Sequence, residues 1–244
     1  MNTKNVWTIT TKDIGLFIKK KSILYSALIL PLALSIGLPM IAWYVINHRN
    51  VSAPVLFPIF NAFSFFFLVL AAIIPTVIGS YSFVGEKTEK TLEPLLATPT
   101  TDDEILLGKS LAAFLPVICM IFISAVIFMV LMDIFTFAKV GYLYFPNLSY
   151  GIIILLNSPL ACVMSIEFSV IISSRVNDVR SAQQLAVLVI IPFFALYLLT
   201  EISVITLDVN TLLLIAGIIG IIDVFLFFFS RVVFQREEIL TKWK

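Results

Sequence analysis

Apolar and polar positions alternate along this chain on a long scale. Six extended apolar runs are separated by short polar connections: Ile23–Ile46, Val55–Val84, Ser110–Met132, Leu148–Ile172, Gln184–Thr200 and Thr211–Phe234. A helix needs about 20 apolar residues to cross the hydrocarbon core of a bilayer. Inside that core every backbone polar group must be bonded within the segment or its bundle. Each run therefore predicts a membrane-spanning α-helix. The second exceeds one hydrocarbon thickness, so it is expected to tilt or to continue beyond the membrane. The fifth is the shortest, and its pattern leaves room for an extension past Glu201 toward Leu207. Pro31, Pro39, Pro75, Pro116, Pro159 and Pro192 put at least one proline inside each of the first five runs. Each permits a kink, in a moving or a static bundle alike. The fold class read from this pattern is an all-α polytopic membrane protein, with residues 1–244 as a single transmembrane domain.

The segment before the first run has a different period. Trp7, Ile14 and Ile18 recur at helical spacing among Thr, Lys and Asp, and Lys19, Lys20 and Lys21 follow. Residues 1–22 are thus expected to form an amphipathic helix lying in the membrane interface, the alternative being an unstructured basic arm. These residues lack the layout of a cleavable signal, a charged tip before a short apolar core, so the first span is expected to be retained.

Composition gives the same class independently. The chain is 60% hydrophobic and 13% charged, against roughly a quarter charged in soluble domains, and its mean hydropathy is +1.07. Charge sets the orientation. Lys and Arg gather at residues 4–21, 87–109, 175–180 and 231–244, leaving only Arg49 and Lys139 for the other side. That asymmetry puts both termini in the cytoplasm of a multi-pass protein of the cell membrane. A net charge of +1 gives no reason to expect a nucleic-acid partner. Cys119 and Cys162 lie in apolar runs and read as small hydrophobes, and His48 is the single histidine. Such a set holds no ordinary zinc or haem site, so no metal ligand is assigned.

The most informative connection lies between the second and third runs, Gly85-Glu-Lys-Thr-Glu-Lys-Thr-Leu-Glu-Pro-Leu-Leu-Ala-Thr-Pro-Thr-Thr-Asp-Asp-Glu-Ile-Leu-Leu-Gly-Lys109. Leu92, Leu95 and Leu96 form an apolar cluster among polar residues, and Pro99 interrupts it. Thr101 and Glu104 have the spacing of a capping box that starts the next helix. The exposed leucines need cover from the membrane surface or from a protein. Asp102, Asp103 and Glu104 argue against the surface, which is anionic. A docking element for a soluble partner follows.

The run Glu86-x-x-x-x-Thr91-Leu92-Glu93-x-Leu95-Leu96-x-x-Pro99, followed by Glu104-Ile105 and Gly108-Lys109, resembles the signature of type-2 ATP-binding-cassette (ABC) export permeases. The interfacial helix, six spans and short outer loops are similar to that family's layout over nearly the whole chain. The resemblance implies a permease that pairs with a second copy and sits on two copies of a separate cytoplasmic ATPase. On it, residues 85–109 hold the coupling helix, with Glu86, Thr91, Leu92, Glu93, Leu95, Leu96, Pro99, Glu104, Gly108 and Lys109 as coupling residues. Residues 173–183 would be a further contact. The sequence itself has no GxxxxGK[ST] phosphate loop, since Gly108-Lys109 lacks the glycine-rich turn and upstream strand such a loop needs. ATP and Mg are therefore expected on the partner, with no catalytic residue and no cofactor in this chain. The sequence departs from larger eukaryotic relatives in having no fused ATPase and no large outer domain.

Acids within the runs are the remaining candidates: Asp133, Glu167 and Asp223. A carboxylate at the centre of a spanning helix costs about 2.5–3.5 kcal/mol on insertion scales. Glu167 and Asp223 therefore either line a route for a cation or polar headgroup, or serve as buried polar contacts between helices. For Glu167, Arg175 is the expected neighbour. A rival to the ATP-driven exporter follows from the same pair, an ion-coupled secondary transporter using Glu167 and Asp223. The aromatic cluster Phe63 and Phe65–Phe67 reads as packing rather than as a drug-binding box.

Overall fold

The computed structural model describes residues 2–49, 53–85, 100–202 and 205–233. Seven helical rods follow one another, and no strand occurs among the described residues. Helix α1 is Thr3–Lys19 and α2 is Lys21–Arg49. Helix α3 is Ala53–Ser80, continued by a π-helical turn at Tyr81–Gly85. Helix α4 is Asp102–Val140. Helix α5 joins Leu148–Ile152, a π-helical turn at Ile153–Asn157, and Ser158–Arg175. Helix α6 joins Val179–Ala186, a tight turn at Val187–Val189, and Ile190–Glu201. Helix α7 is Val209–Val233. The six rods α2–α7 are each long and apolar enough to cross a membrane.

The ends of these rods depart from the apolar runs for local reasons. Helix α4 begins well before its apolar stretch because Thr101 caps it. The Thr101 hydroxyl accepts from the Glu104 N–H, and the Glu104 side chain accepts in return from the Thr101 N–H. It ends on Gly141, whose φ of 79° is a left-handed conformation open to glycine. At 39 residues and about 1.5 Å per residue, α4 far outreaches the hydrocarbon core. Helix α6 starts on Asp178, whose carboxylate accepts from the Ser181 N–H and hydroxyl. Those two bonds hold the Asp178 carboxyl below its usual range. An extension of α6 past Glu201 does not occur, for the helix stops there.

Two prolines coincide with irregular turns. A proline ring clashes with the carbonyl four residues earlier and removes one donor. For Pro159 that carbonyl belongs to Leu155, inside the wide turn Ile153–Asn157, and the Ser158 hydroxyl bonds the Ile153 carbonyl at 2.8 Å. For Pro192 it belongs to Leu188, inside the tight turn Val187–Val189. The helices are thus re-wound where the prolines forbid regular bonding.

Helix α3 is the axis of the bundle and packs against α4, α5 and α6. Phe60, Phe65 and Phe67 on α3 are fully buried, and the Phe67 ring meets Phe128 of α4 edge-on at 5.2 Å. Helix α5 approaches α3 closely through small residues. A Cβ added at Gly79 would lie 3.1 Å from Ser169 Cβ, and the Ser165 and Ser169 hydroxyls bond carbonyls of their own helix. Large apolar side chains on α2 and α7, such as Ile29, Trp43, Ile221 and Phe225, face outward. That is the arrangement of a bundle solvated by lipid rather than water. Because six rods cross, α1, the roots of residues 86–99, the α5–α6 connection and the end of α7 share one face of the bundle, hereafter the N-terminal face.

On the opposite face Asp133 holds the connection after α4. Its Oδ1 accepts from the Tyr144 and Phe145 N–H groups at 3.0 and 3.1 Å. The Tyr144 hydroxyl donates to Asn61 Oδ1 at 3.0 Å, and its ring stacks on Phe57 at 5.1 Å. Burial, then Tyr142, pushes the Tyr144 phenol above its usual range, while the bond to Asn61 acts against them. Asp133 is thus an anchor for the connection after α4.

Candidate functional site

The predicted site residues divide in space. Glu86, Thr91, Leu92, Glu93, Leu95, Leu96 and Pro99 lie outside the described residues. Glu104, Gly108 and Lys109 lie on the first turns of α4, and all three face α1.

Helix α1 is laid against α4 through Val6, Ile9, Thr10, Asp13 and Phe17, which are buried. Trp7, Thr11 and Ile18 occupy an exposed stripe a quarter-turn away. One face of the amphipathic helix is therefore taken by protein and another is left for lipid. The N-terminal end is held by Glu104, whose Oε1 accepts from the Asn2 N–H at 2.5 Å and whose Oε2 accepts from Asn5 Nδ2 at 2.9 Å. A carboxylate at the start of α1 also suits the positive end of the helix dipole. In the middle, Gly108 lets the two backbones approach. A Cβ there would fall 2.9 Å from Ile9 Cβ and 3.1 Å from the Val6 carbonyl oxygen, and the Thr10 hydroxyl donates to the Gly108 carbonyl at 3.0 Å.

Lys109 closes the contact. It is fully buried, and its Nζ donates to Asp13 Oδ2 at 3.3 Å and to the Ser82 carbonyl at 2.9 Å. The Ser82 hydroxyl donates to the same Asp13 oxygen at 3.3 Å, and the Phe83 ring lies 5.6 Å from the ammonium. Helix α1, the π-turn at the end of α3 and the start of α4 thus meet in one buried ionic knot. Lys20, between α1 and α2, adds a contact 4.3 Å over the Tyr81 ring. With its ammonium so engaged inside a helix, Lys109 has no phosphate-binding loop to serve. In the same acidic cluster Asp103 forms a two-pronged ion pair with Arg231 of α7.

The chain on either side of residues 86–99 is therefore bound to neighbouring helices. The end of α3 is tied through Ser82 to Lys109 and Asp13, and the start of α4 is tied through Glu104 to α1 and through Asp103 to α7. Sequence reasoning missed Asp13, Ser82, Asn2 and Asn5 as partners. Only Asp13 left a signal, an acid on the face of α1 that Val6, Ile9 and Phe17 mark as buried.

The membrane acids behave differently. Glu167 on α5 and Asp223 on α7 are each 7% exposed. Glu167 Oε2 and both Asp223 oxygens are enclosed without a hydrogen-bond partner. Arg175 is not the neighbour of Glu167: it lies exposed at the end of α5, eight residues and about 12 Å along the axis. Asp223 is close enough to act electrostatically on Glu167, and α5 and α7 pack together. Among the described residues no group of three His, Cys, Asp or Glu could hold a metal ion.

No curated protein matches the sequence. The model of the family described as ABC-2 family transporter protein matches residues 17–180, more than half of the chain. The match runs from the end of α1 into the start of α6 and takes in Ser82 and Lys109 of the ionic knot, while Asp13 precedes it. The match, the six membrane-crossing helices and the braced roots of residues 86–99 agree: the chain belongs to the ABC-2 transporter family and is a multi-pass permease subunit.

Proposed function

We propose that this permease is the membrane half of an ATP-driven exporter, works as a pair of copies, and receives its energy from a separate cytoplasmic ATPase docked on residues 85–109. The observation that carries this reading is the bracing of that segment's roots by Lys109, Asp13, Ser82 and Glu104. A segment carrying Leu92, Leu95 and Leu96 between two anchored helix ends can transmit a push. Load applied to it reaches α3 and α4 together, and through the knot it also reaches α1. A freely hinged connection would absorb the same push as loop motion.

The Lys/Arg bias supports a cytoplasmic N-terminal face, which brings both termini and residues 86–99 to the side where ATP is available. In this reading ATP and Mg are bound by the partner, and this chain contributes no catalytic group. Closure of two ATPase subunits displaces the docked segments, and the tied helices re-gate a pathway between two six-helix halves in the cell membrane.

The test is co-purification of the permease with a soluble ABC ATPase sought in the neighbouring reading frames, and vanadate inhibition of transport in vesicles holding both. A stable complex with vanadate-sensitive transport is expected. Absence of any complex, with transport indifferent to vanadate, overturns the reading.

A further inference from the structure

A cavity of about 230 Å³ opens between α4, α5 and α7 toward the N-terminal face. Its wall is apolar, with Leu107, Phe114 and Phe227 prominent, and its polar groups are Glu167 and the hydroxyl residues Ser110 and Ser230. A second cavity of about 260 Å³ shares Leu106, Leu107 and Phe227 with it and reaches the Asp103–Arg231 pair at the surface. The two lie side by side along α4 and α7, one lined by Glu167 and the other by the Asp103–Arg231 pair, and are hereafter called the recess.

The acidic group of the first cavity has no partner among the described residues. Glu167 is more than nine-tenths buried, lines the cavity and has an enclosed, unpartnered oxygen. Asp223 sits one turn deeper on the face of α7 that carries Phe227 and Ser230, also unpartnered. Among the described residues, the cations near the recess are engaged elsewhere: Arg231 by Asp103, and Lys109, next to Ser110, by Asp13 on the far side of α4. A buried carboxyl group without a partner is costly as a charge, and a cation seated in the apolar cavity beside it would supply the missing counter-charge, whereas an anion would not.

We propose that this cavity binds a lipophilic monocation, an amine or quaternary ammonium carried on an aromatic or alkyl body, with Glu167 as its counter-ion. The apolar wall takes the body, and the recess beside the Asp103–Arg231 pair gives access from the edge of the bundle. That the cation is cargo rests on the exporter reading; that it binds here rests on the cavity.

The experiment is equilibrium binding of tritiated benzyltrimethylammonium to the full chain in phosphatidylcholine nanodiscs, with empty discs subtracted. Neopentylbenzene, its uncharged isostere, serves as competitor. Saturable binding at one site per chain is expected, with little displacement by the isostere. Glu167→Gln weakens it at least tenfold, and Glu167→Asp keeps it within about threefold. Val163→Phe fills the cavity without touching the charge, and abolishes binding. Absence of saturable binding to the unaltered chain, or binding unchanged in both Glu167→Gln and Val163→Phe, overturns the proposal. Complex formation with the ATPase is scored on the same preparations. Lost cation binding with an intact complex removes the cavity assignment alone. Saturable binding without any complex, together with vanadate-indifferent transport, keeps the cavity and removes the exporter reading.

Discussion

Lys109 is the residue on which the N-terminal face depends most. Its side chain is fully buried between Asp13 and the Ser82 carbonyl. Removing one member of a buried ion pair costs about 3–5 kcal/mol when the other charge is left alone, and here the half-exposed Lys12, 3.7 Å from Asp13 Oδ1, offsets only part of the loss. Lys109→Met keeps the length and removes the charge, so it is expected to lower the thermal unfolding midpoint of the purified permease strongly. Lys109→Met combined with Asp13→Leu removes both charges and is expected to recover most of that loss. A neutral single variant, or a double variant no better than the single, contradicts the knot. Little of this was legible in the sequence. Lys109 stands beside Gly108 and reads as one more basic residue of a polar connection, and its partner Asp13 lies 96 positions away. The Thr101–Glu104 capping box was legible because its bonds span three residues. The second duty of Glu104, toward Asn2 and Asn5, spans about a hundred and leaves no local pattern.

At the scale of elements, the period and length of the apolar runs foretold six spanning rods, since lipid demands helices of that length. They understated α4, which has 39 residues, because a helix leaving the membrane is held by caps and by contact with α1 rather than by apolar composition. The amphipathic period of residues 3–19 was legible too, but the partner of its buried face was not. That partner contact turns on Gly108. In Gly108→Ala the new Cβ meets Ile9 Cβ and the Val6 carbonyl oxygen, both close to the backbone, so α1 must move off α4. Overpacking of this kind costs about 1–3 kcal/mol. Faster hydrogen exchange is expected across α1, with α5–α7 unchanged. Exchange in α1 equal to that of the unaltered chain would show that α1 is not seated through this glycine.

At the scale of the whole molecule, two features face one another across the start of α4. On one side the ionic knot binds α1, α3 and α4 at the roots of residues 86–99. On the other, the Glu167 recess runs between α4, α5 and α7. Helix α4 borders both, through Lys109 and Ser110 in adjacent positions. Movement of its first turns relative to α5 and α7 would change the shape of the recess, which is the route the proposed ATPase docking and cation binding require. The sequence pointed to Glu167 and Asp223 as costly residues in lipid, yet the cavity beside Glu167 depends on three helices meeting and could not be read from any one of them. Docking on residues 85–109 is tested most directly with Leu92→Asp/Leu95→Asp in the permease–ATPase complex, by measuring how much the permease alters the ATPase rate. The double variant is expected to insert and to unfold like the unaltered chain, while ATPase activity becomes independent of the permease. Full retention of the permease's effect on ATP hydrolysis in that variant would contradict the docking role.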